Sequence, residues 1–93
     1  MSEKILKKTA EYFKAFSHPT RIKIIELLSE NETCVCEMVS RLNLDQSHIS
    51  RHLTILRSMG IVEDRRKGNM VFYKLVDHAS IEIIKRVKEK FTN

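Results

Sequence analysis

The chain has 93 residues, 42% of them hydrophobic, with two glycines and one proline, which gives room for one core and little linker. Seventeen Lys and Arg against twelve Asp and Glu leave a net charge of +5, a balance suited to an anionic partner such as a nucleic acid. No apolar run approaches the length of a membrane span and no signal peptide opens the chain, so a cytoplasmic location is expected.

From about Ser2 to Phe16 the pattern is helical. Ile5, Leu6, Ala10, Phe13 and Phe16 fall on one side, and Lys4, Lys7, Lys8, Glu11 and Lys14 fall mostly on the other. That stripe packs either on its own domain or on a second copy of the chain, and the small core favours the second copy. Ser17-His18-Pro19-Thr20 is a break followed by a helix start, with Pro19 at the first helical position, where its missing N–H costs nothing. The next helix runs to about Leu28. The wide apolar arc of Ile22, Ile24, Ile25, Leu27 and Leu28 makes it the central helix, with Arg21 and Lys23 on a solvated face. Ser29-Glu30-Asn31-Glu32 reads as a polar loop. A short helix then spans Cys34 to about Leu42, capped by Thr33, with Met38, Val39 and Leu42 buried.

A polar turn leads into a helix running from Gln46 to Gly60. Asp45 is the expected N-cap and Gly60 the stop. Ile49, Leu53 and Leu56 form its buried stripe. Gln46, Ser47, His48, Ser50, Arg51, Thr54 and Arg57 cover the rest without a single acid. The first five crowd into two turns and can bond base edges and phosphates in a major groove, where Arg pairs bidentately with guanine. The other reading is an ordinary solvated face. The short helix before it decides between them: the pair forms a helix-turn-helix in which the first helix braces and the second reads.

After Gly60 the period becomes that of strands, with Val62, Asp64 and Arg66, then Val71, Phe72, Tyr73 and Leu75. Between them Gly68-Asn69 supplies a tight turn. The result is a two-stranded hairpin whose tip carries Arg65, Arg66, Lys67 and Asn69, placed to straddle a phosphate backbone. Asp77 to Phe91 closes the chain as an amphipathic helix with Ile81, Ile84, Val87 and Phe91 at helical spacing. The expected fold is mainly α with a two-stranded β-hairpin, a winged helix-turn-helix in the order α-α-α-α-β-β-α and one domain over residues 1–93. The terminal helices, about 2–16 and 77–91, would join a two-fold homodimer that presents two reading helices about 34 Å apart.

Cys34 and Cys36 lie too close in sequence for an unstrained disulfide staple, and in a reducing compartment such a pair is expected to be reactive or metal-binding. Two thiolates select soft ions. A helix start favours the thiolate, while Glu32 and Glu37 oppose it. On a regular helix residues i and i+2 point about 200° apart, so chelation by both is expected to distort the helix start and shift the brace of the reading helix. The bland alternative is two small buried hydrophobes. No nucleophile–base pair or phosphate loop is present, so an enzyme is not expected. His48 and His52 lack the Glu and third ligand of a hydrolytic zinc site and read as DNA-facing or core-edge residues.

Ser17-His18-Pro19-Thr20-Arg21, Cys34-Val35-Cys36-Glu37, Gln46-Ser47-His48-Ile49-Ser50-Arg51-His52-Leu53, and the run from Arg65 through Leu75 together resemble the ArsR/SmtB metalloregulatory repressors from about Phe16 to Leu75. The resemblance implies a homodimer that represses an operon by binding double-stranded operator DNA until a toxic ion releases it. The Cys-Val-Cys element is similar to that of the arsenical-responsive branch. It implies Cys34 and Cys36 as thiolate ligands for As(III) or Sb(III), an inducer rather than a required cofactor. That branch often adds a third cysteine where this chain has Val39, which leaves two thiolates and a third position for a small ligand or an exogenous thiol. The N-terminal cysteines of cadmium and lead sensors have no counterpart before His18. The last-helix ligands of the zinc and nickel branch are matched at Asp77 alone, the later positions holding Ala79, Lys90 and Asn93, and His78 reads as a surface residue. The alternative within the family is a regulator whose cysteines sense oxidant or persulfide, or one with no metal inducer.

Overall fold

The computed structural model describes residues 2–92 of the chain. In chain order it contains α1 (Glu3–Lys14), α2 (Pro19–Glu30), β1 (Thr33–Cys34), α3 (Val35–Leu42), α4 (Gln46–Ser58), β2 (Val62–Lys67), β3 (Met70–Leu75) and α5 (His78–Phe91). This is the expected mainly helical winged helix-turn-helix with one addition. The sheet has three antiparallel strands in the order β1-β3-β2. The added strand is two residues long, too short to show a period, and it pairs Thr33 with Tyr73 and Cys34 with Phe72.

Side chains at helix ends satisfy the free amides. Ser2 caps α1 by accepting from the Ile5 N–H, and His18 Nδ1 accepts from Thr20 at the start of α2, with Pro19 in the first turn. The cap of α3 is Cys34 rather than Thr33, its sulfur accepting from the Glu37 N–H at 3.3 Å. Asp45 caps α4 and Asp77 caps α5. The reading helix ends in a Schellman arrangement. Gly60 takes φ +72°, its N–H reaches the Arg57 carbonyl, and the Ile61 N–H reaches that of Leu56. Ile61 and Leu56 are both fully buried, so the stop is also a core contact.

Ile24, Ile25 and Leu28 of α2 are buried among Met38, Ile49, Leu53, Leu56, Ile61, Val62, Tyr73, Leu75, Ile81 and Ile84, confirming α2 as the central helix. At about 25 cal/mol per Å² of apolar surface removed from water, each fully buried Ile or Leu contributes roughly 1.5–3 kcal/mol. Helix α1 behaves differently: none of its residues is buried, and Ile5, Leu6 and Phe13 are each more than half exposed. Val87 and Phe91 on α5 are likewise exposed. No helix among the described residues is long and apolar enough to cross a membrane.

Candidate nucleic-acid interface and dithiol cleft

The polar face of α4 is open. Gln46, Ser47, His48, Ser50 and Arg51 are all exposed, and the buried stripe of Ile49, Leu53 and Leu56 holds that face outward. Asp45 organises the first turn. One of its carboxylate oxygens accepts from the His48 N–H at 3.0 Å and the Ser47 hydroxyl at 2.8 Å, with His48 Nδ1 at 2.9 Å. Chiefly the backbone hydrogen bond, then that of Ser47, holds this carboxyl below its usual range. Ser47 and His48 are therefore oriented by the cap, while Gln46, Ser50 and Arg51 stand beyond it.

By sequence, Arg21 belongs on a solvated face and His52 lies between DNA and core. In the structure both belong to one half-buried cluster behind the reading helix. Arg21 donates to the Ala15 carbonyl at 2.8 Å and the Lys14 carbonyl at 3.4 Å, and its Nη1 lies 3.1 Å from His52 Nδ1. A guanidinium only donates, so Nδ1 accepts and the ring is neutral. His52 is 9% exposed, and the His18 ring lies 4.3 Å away, centroid to centroid. Burial first, then the charges of His18, Arg21, His48 and Arg51, pushes the His52 pKa down. A signal was present: Ile49, His52, Leu53 and Leu56 have the spacing of one helical stripe.

The wing is a two-residue hairpin in which Lys67 pairs with Met70. Gly68 alone takes a positive φ, +65°, the requirement of a type II′ turn; Asn69 does not share it. Arg65, Arg66, Lys67 and Asn69 are exposed, but they are not equivalent. Arg65 Nε donates to Glu32 at 3.0 Å and its guanidinium lies 5.9 Å from the Phe72 ring centroid. It braces the wing against the segment before β1 while its side chain stays exposed. Arg57 donates to Asp64 at 3.2 Å and ties the reading helix to the wing.

Two expectations about the cysteines are corrected. Cys34 and Cys36 form a disulfide, with Cα atoms 5.4 Å apart, inside the usual span for such a bond. The 200° argument fails because Cys34 is not helical. It has φ −78° and ψ 154°, a strand-end conformation that turns its sulfur back over the first helical turn toward Cys36. The two sulfurs therefore meet with α3 intact, and helix distortion is not needed for both to reach one atom. Cys34 is 6% exposed, while Cys36 is exposed.

The pair lines a cleft of about 370 Å³ between the reading helix and the wing. Gln46 and Ser50 border it from α4 and Arg66 and Asn69 from the wing, all exposed. Its inner wall holds Val35, Val71 and Tyr73, each half-buried or buried. Burial, and then the Asp64 carboxylate, raises the Tyr73 pKa, so the phenol is neutral. Four DNA-facing candidates and both cysteines thus share one cavity that no spacing rule predicts. Reduced, the pair offers two thiolates to a soft ion; oxidised, it offers none. Asp77 is occupied as the α5 cap and receives the Tyr12 hydroxyl; Asn93 lies outside the described residues. Among the described residues no group of three His, Cys, Asp or Glu side chains is placed to share a metal ion.

Residues 18–64 match the family described as bacterial regulatory protein, arsR family. An uncharacterized HTH-type transcriptional regulator of Methanocaldococcus jannaschii is 49% identical over 83 residues, covering 88% of this chain and 93% of that protein. The arsenical resistance operon repressor of Escherichia coli is 44% identical over 69 residues, 73% of this chain, but this chain spans only 59% of that protein's length. Among solved structures, the homodimeric winged helix-turn-helix DNA-binding domain from Mycobacterium bovis superposes with a TM-score of 0.82 at 25% identity, over 95% of this chain and 84% of the other.

Proposed function

From the premise that this chain belongs to the arsR family of bacterial regulatory proteins, we propose that it is a homodimeric repressor whose grip on operator DNA is set by chemistry at Cys34 and Cys36. One observation carries the reading: the cysteine pair lines the same cleft as Gln46, Ser50, Arg66 and Asn69. The reading helix enters the major groove with Gln46, Ser50 and Arg51 toward base edges, Ser47 and His48 toward backbone or base, and the wing cations toward phosphate. Cys34 is paired through β1 to Phe72 of β3. An occupant at the sulfurs therefore acts on the spacing between reading helix and wing, and the coupling passes through the sheet instead of an unwound α3.

In the first reading the inducer is As(III) or Sb(III), bound by the reduced pair. The name of the Escherichia coli relative supports it, as does the softness of two thiolates. In the second reading the pair senses an oxidant, and the placement of the two sulfurs within reach of one another supports that. A peroxide takes two hydrogens from the two thiols, forming the S–S bond and releasing two waters.

Fluorescence anisotropy of a labelled operator duplex tests both. Fully reduced protein should leave the duplex on addition of arsenite or antimonite and stay bound with zinc. The Cys34→Ser, Cys36→Ser protein should bind the duplex and ignore all of them. Release of that variant at the wild-type arsenite concentration would place the sensing site elsewhere. Peroxide releasing the wild type while arsenite does not, with a mass loss of two hydrogens, selects the second reading. The coupling is reciprocal, so duplex DNA should weaken inducer binding by the factor by which inducer weakens DNA binding.

A further inference from the structure

Arg21 holds three helices with one side chain. It stands in the first turn of α2 and is half-buried. Its Nε donates to the Ala15 carbonyl at 2.8 Å and its Nη2 to the Lys14 carbonyl at 3.4 Å. These carbonyls end α1, where the negative end of the helix dipole favours a cation. Its Nη1 reaches His52 of α4 at 3.1 Å. His52 is buried and packs on the His18 ring, whose own Nδ1 accepts from Thr20 to cap α2. Beside this bridge a groove of about 360 Å³ runs between the end of α1 and the end of α4, and its apolar lining residues there, Ile55 and Met59, are half-buried. Apolar contact has no direction, whereas a planar guanidinium with three partners fixes both distance and angle. The exposed stripe of α1, Ile5, Leu6 and Phe13, is the surface offered to a second copy, and the exposed face of α4 is the one offered to DNA. Arg21 joins the helices that carry them.

We propose that Arg21 is a positioning residue for DNA reading: by joining the end of α1 to His52 it fixes the angle of α4 against the terminal helices, and so sets the separation of half-sites that the dimer accepts. The inference rests on the homodimeric-repressor reading above and adds the residue that sets its register. In this role Arg21 touches no base. It acts through His52, whose neighbour Arg51 and, one residue further, Ser50 face outward. In a two-fold dimer a tilt of α4 enters twice, once in each protomer. Moving one half-site by a base pair displaces it by about 3.4 Å and turns it by roughly 34–36°. A rigidly held α4 rejects the shifted site and a loosely held one tolerates it. Lysine in place of Arg21 keeps the charge but loses the fork, leaving one ammonium for three acceptors in different directions.

The test takes a two-fold duplex selected by the full-length wild-type protein from a randomised pool. Fluorescence anisotropy compares it with duplexes whose half-sites lie one base pair closer or farther apart, and with a duplex carrying a single half-site. Wild type should lose roughly tenfold in affinity on either shift, the scale of one spoiled base contact. Arg21→Lys and His52→Leu should remove most of that penalty while leaving affinity for the single half-site unchanged. His52→Gln, which keeps an acceptor for Arg21, should retain the full penalty. The split between shifted and single sites separates positioning from loss of structure, which would weaken both together. Circular dichroism establishes which variants are folded, and either of the two disrupting variants that folds carries the comparison. A full spacing penalty in a folded Arg21→Lys or His52→Leu protein overturns the proposal, as does an equal loss on every duplex or a wild-type dimer indifferent to spacing. A wild type that is a monomer by light scattering, or that selects no two-fold duplex, has failed the homodimeric-repressor reading instead.

Discussion

Two side chains on the reading helix, one facing out and one facing in, carry separable work. Arg51 is exposed on the face of α4 opposite the buried Ile49 and Leu53. Arg51→Ala should weaken specific duplex binding by roughly 1–3 kcal/mol and relax base preference at one position, if the guanidinium reads a base edge. Titration against operator and point-substituted duplexes checks it, and a uniform loss across all sequences would make Arg51 a phosphate contact. His52 faces the Arg21 guanidinium and binds a proton less readily in the folded chain than in the unfolded one. Below an unfolded pKa of about 6.5 the unfolded state takes up a proton that the fold resists, so stability is full above that pH and declines as pH falls through it. His52→Gln keeps an acceptor for Arg21 and cannot titrate; denaturant unfolding across that range should show a flatter profile for it. An identical slope in the variant would assign the pH dependence to another group.

At the scale of elements, the wing divides into a bracing cation, Arg65, and two, Arg66 and Lys67, that have no ion pair among the described residues. Arg66→Ala with Lys67→Ala should weaken all duplexes alike and reduce the salt slope by about 0.9 for each phosphate that is no longer neutralised. Arg65→Ala should act differently, because it also frees Glu32 and the segment leading to β1. It is expected to loosen the coupling between the cysteines and DNA while changing the salt slope less, which a salt titration with and without arsenite would show. The helices and the wing were legible in sequence because each has its own period and punctuation, such as Asp45 before α4, Gly60 after it and Gly68 at the tip. Strand β1 was not, since two residues cannot display alternation and its partner lies 38 positions on, at Phe72. Missing it also hid the strand-end conformation of Cys34, and with that the disulfide and the cleft. The Arg21–His52 contact spans 31 residues, and only its His52 half left a trace in local spacing.

At the scale of the molecule, the exposed apolar residues Ile5, Leu6, Phe13, Val87 and Phe91 fit a second copy of the chain. Phe13→Asp or Val87→Asp should yield a monomer by light scattering, since burying an unpaired charge opposes association. Ile84, although on the same helix, is 4% exposed in the protomer, so its replacement by Asp would unfold the chain instead of dividing it. A wild-type monomer at micromolar concentration would refute the dimer. Helix α1, with no buried residue of its own, is tied to the domain by Tyr12, whose ring packs on the core and whose hydroxyl reaches the α5 cap, by Arg21 on the Lys14 carbonyl, and by Ala15 and Phe16 just beyond its end. Its amides should therefore exchange with deuterium by local opening while those around Ile24 and Ile25 await global unfolding. Because a partner would cover α1, mass action ties its protection to protomer concentration. Dilution should therefore accelerate exchange in residues 3–14 and leave the centre of α2 unmoved. The first helix would then fray when the protein is scarce, so that the number of copies in the cell, as well as any inducer, sets how many readers are assembled.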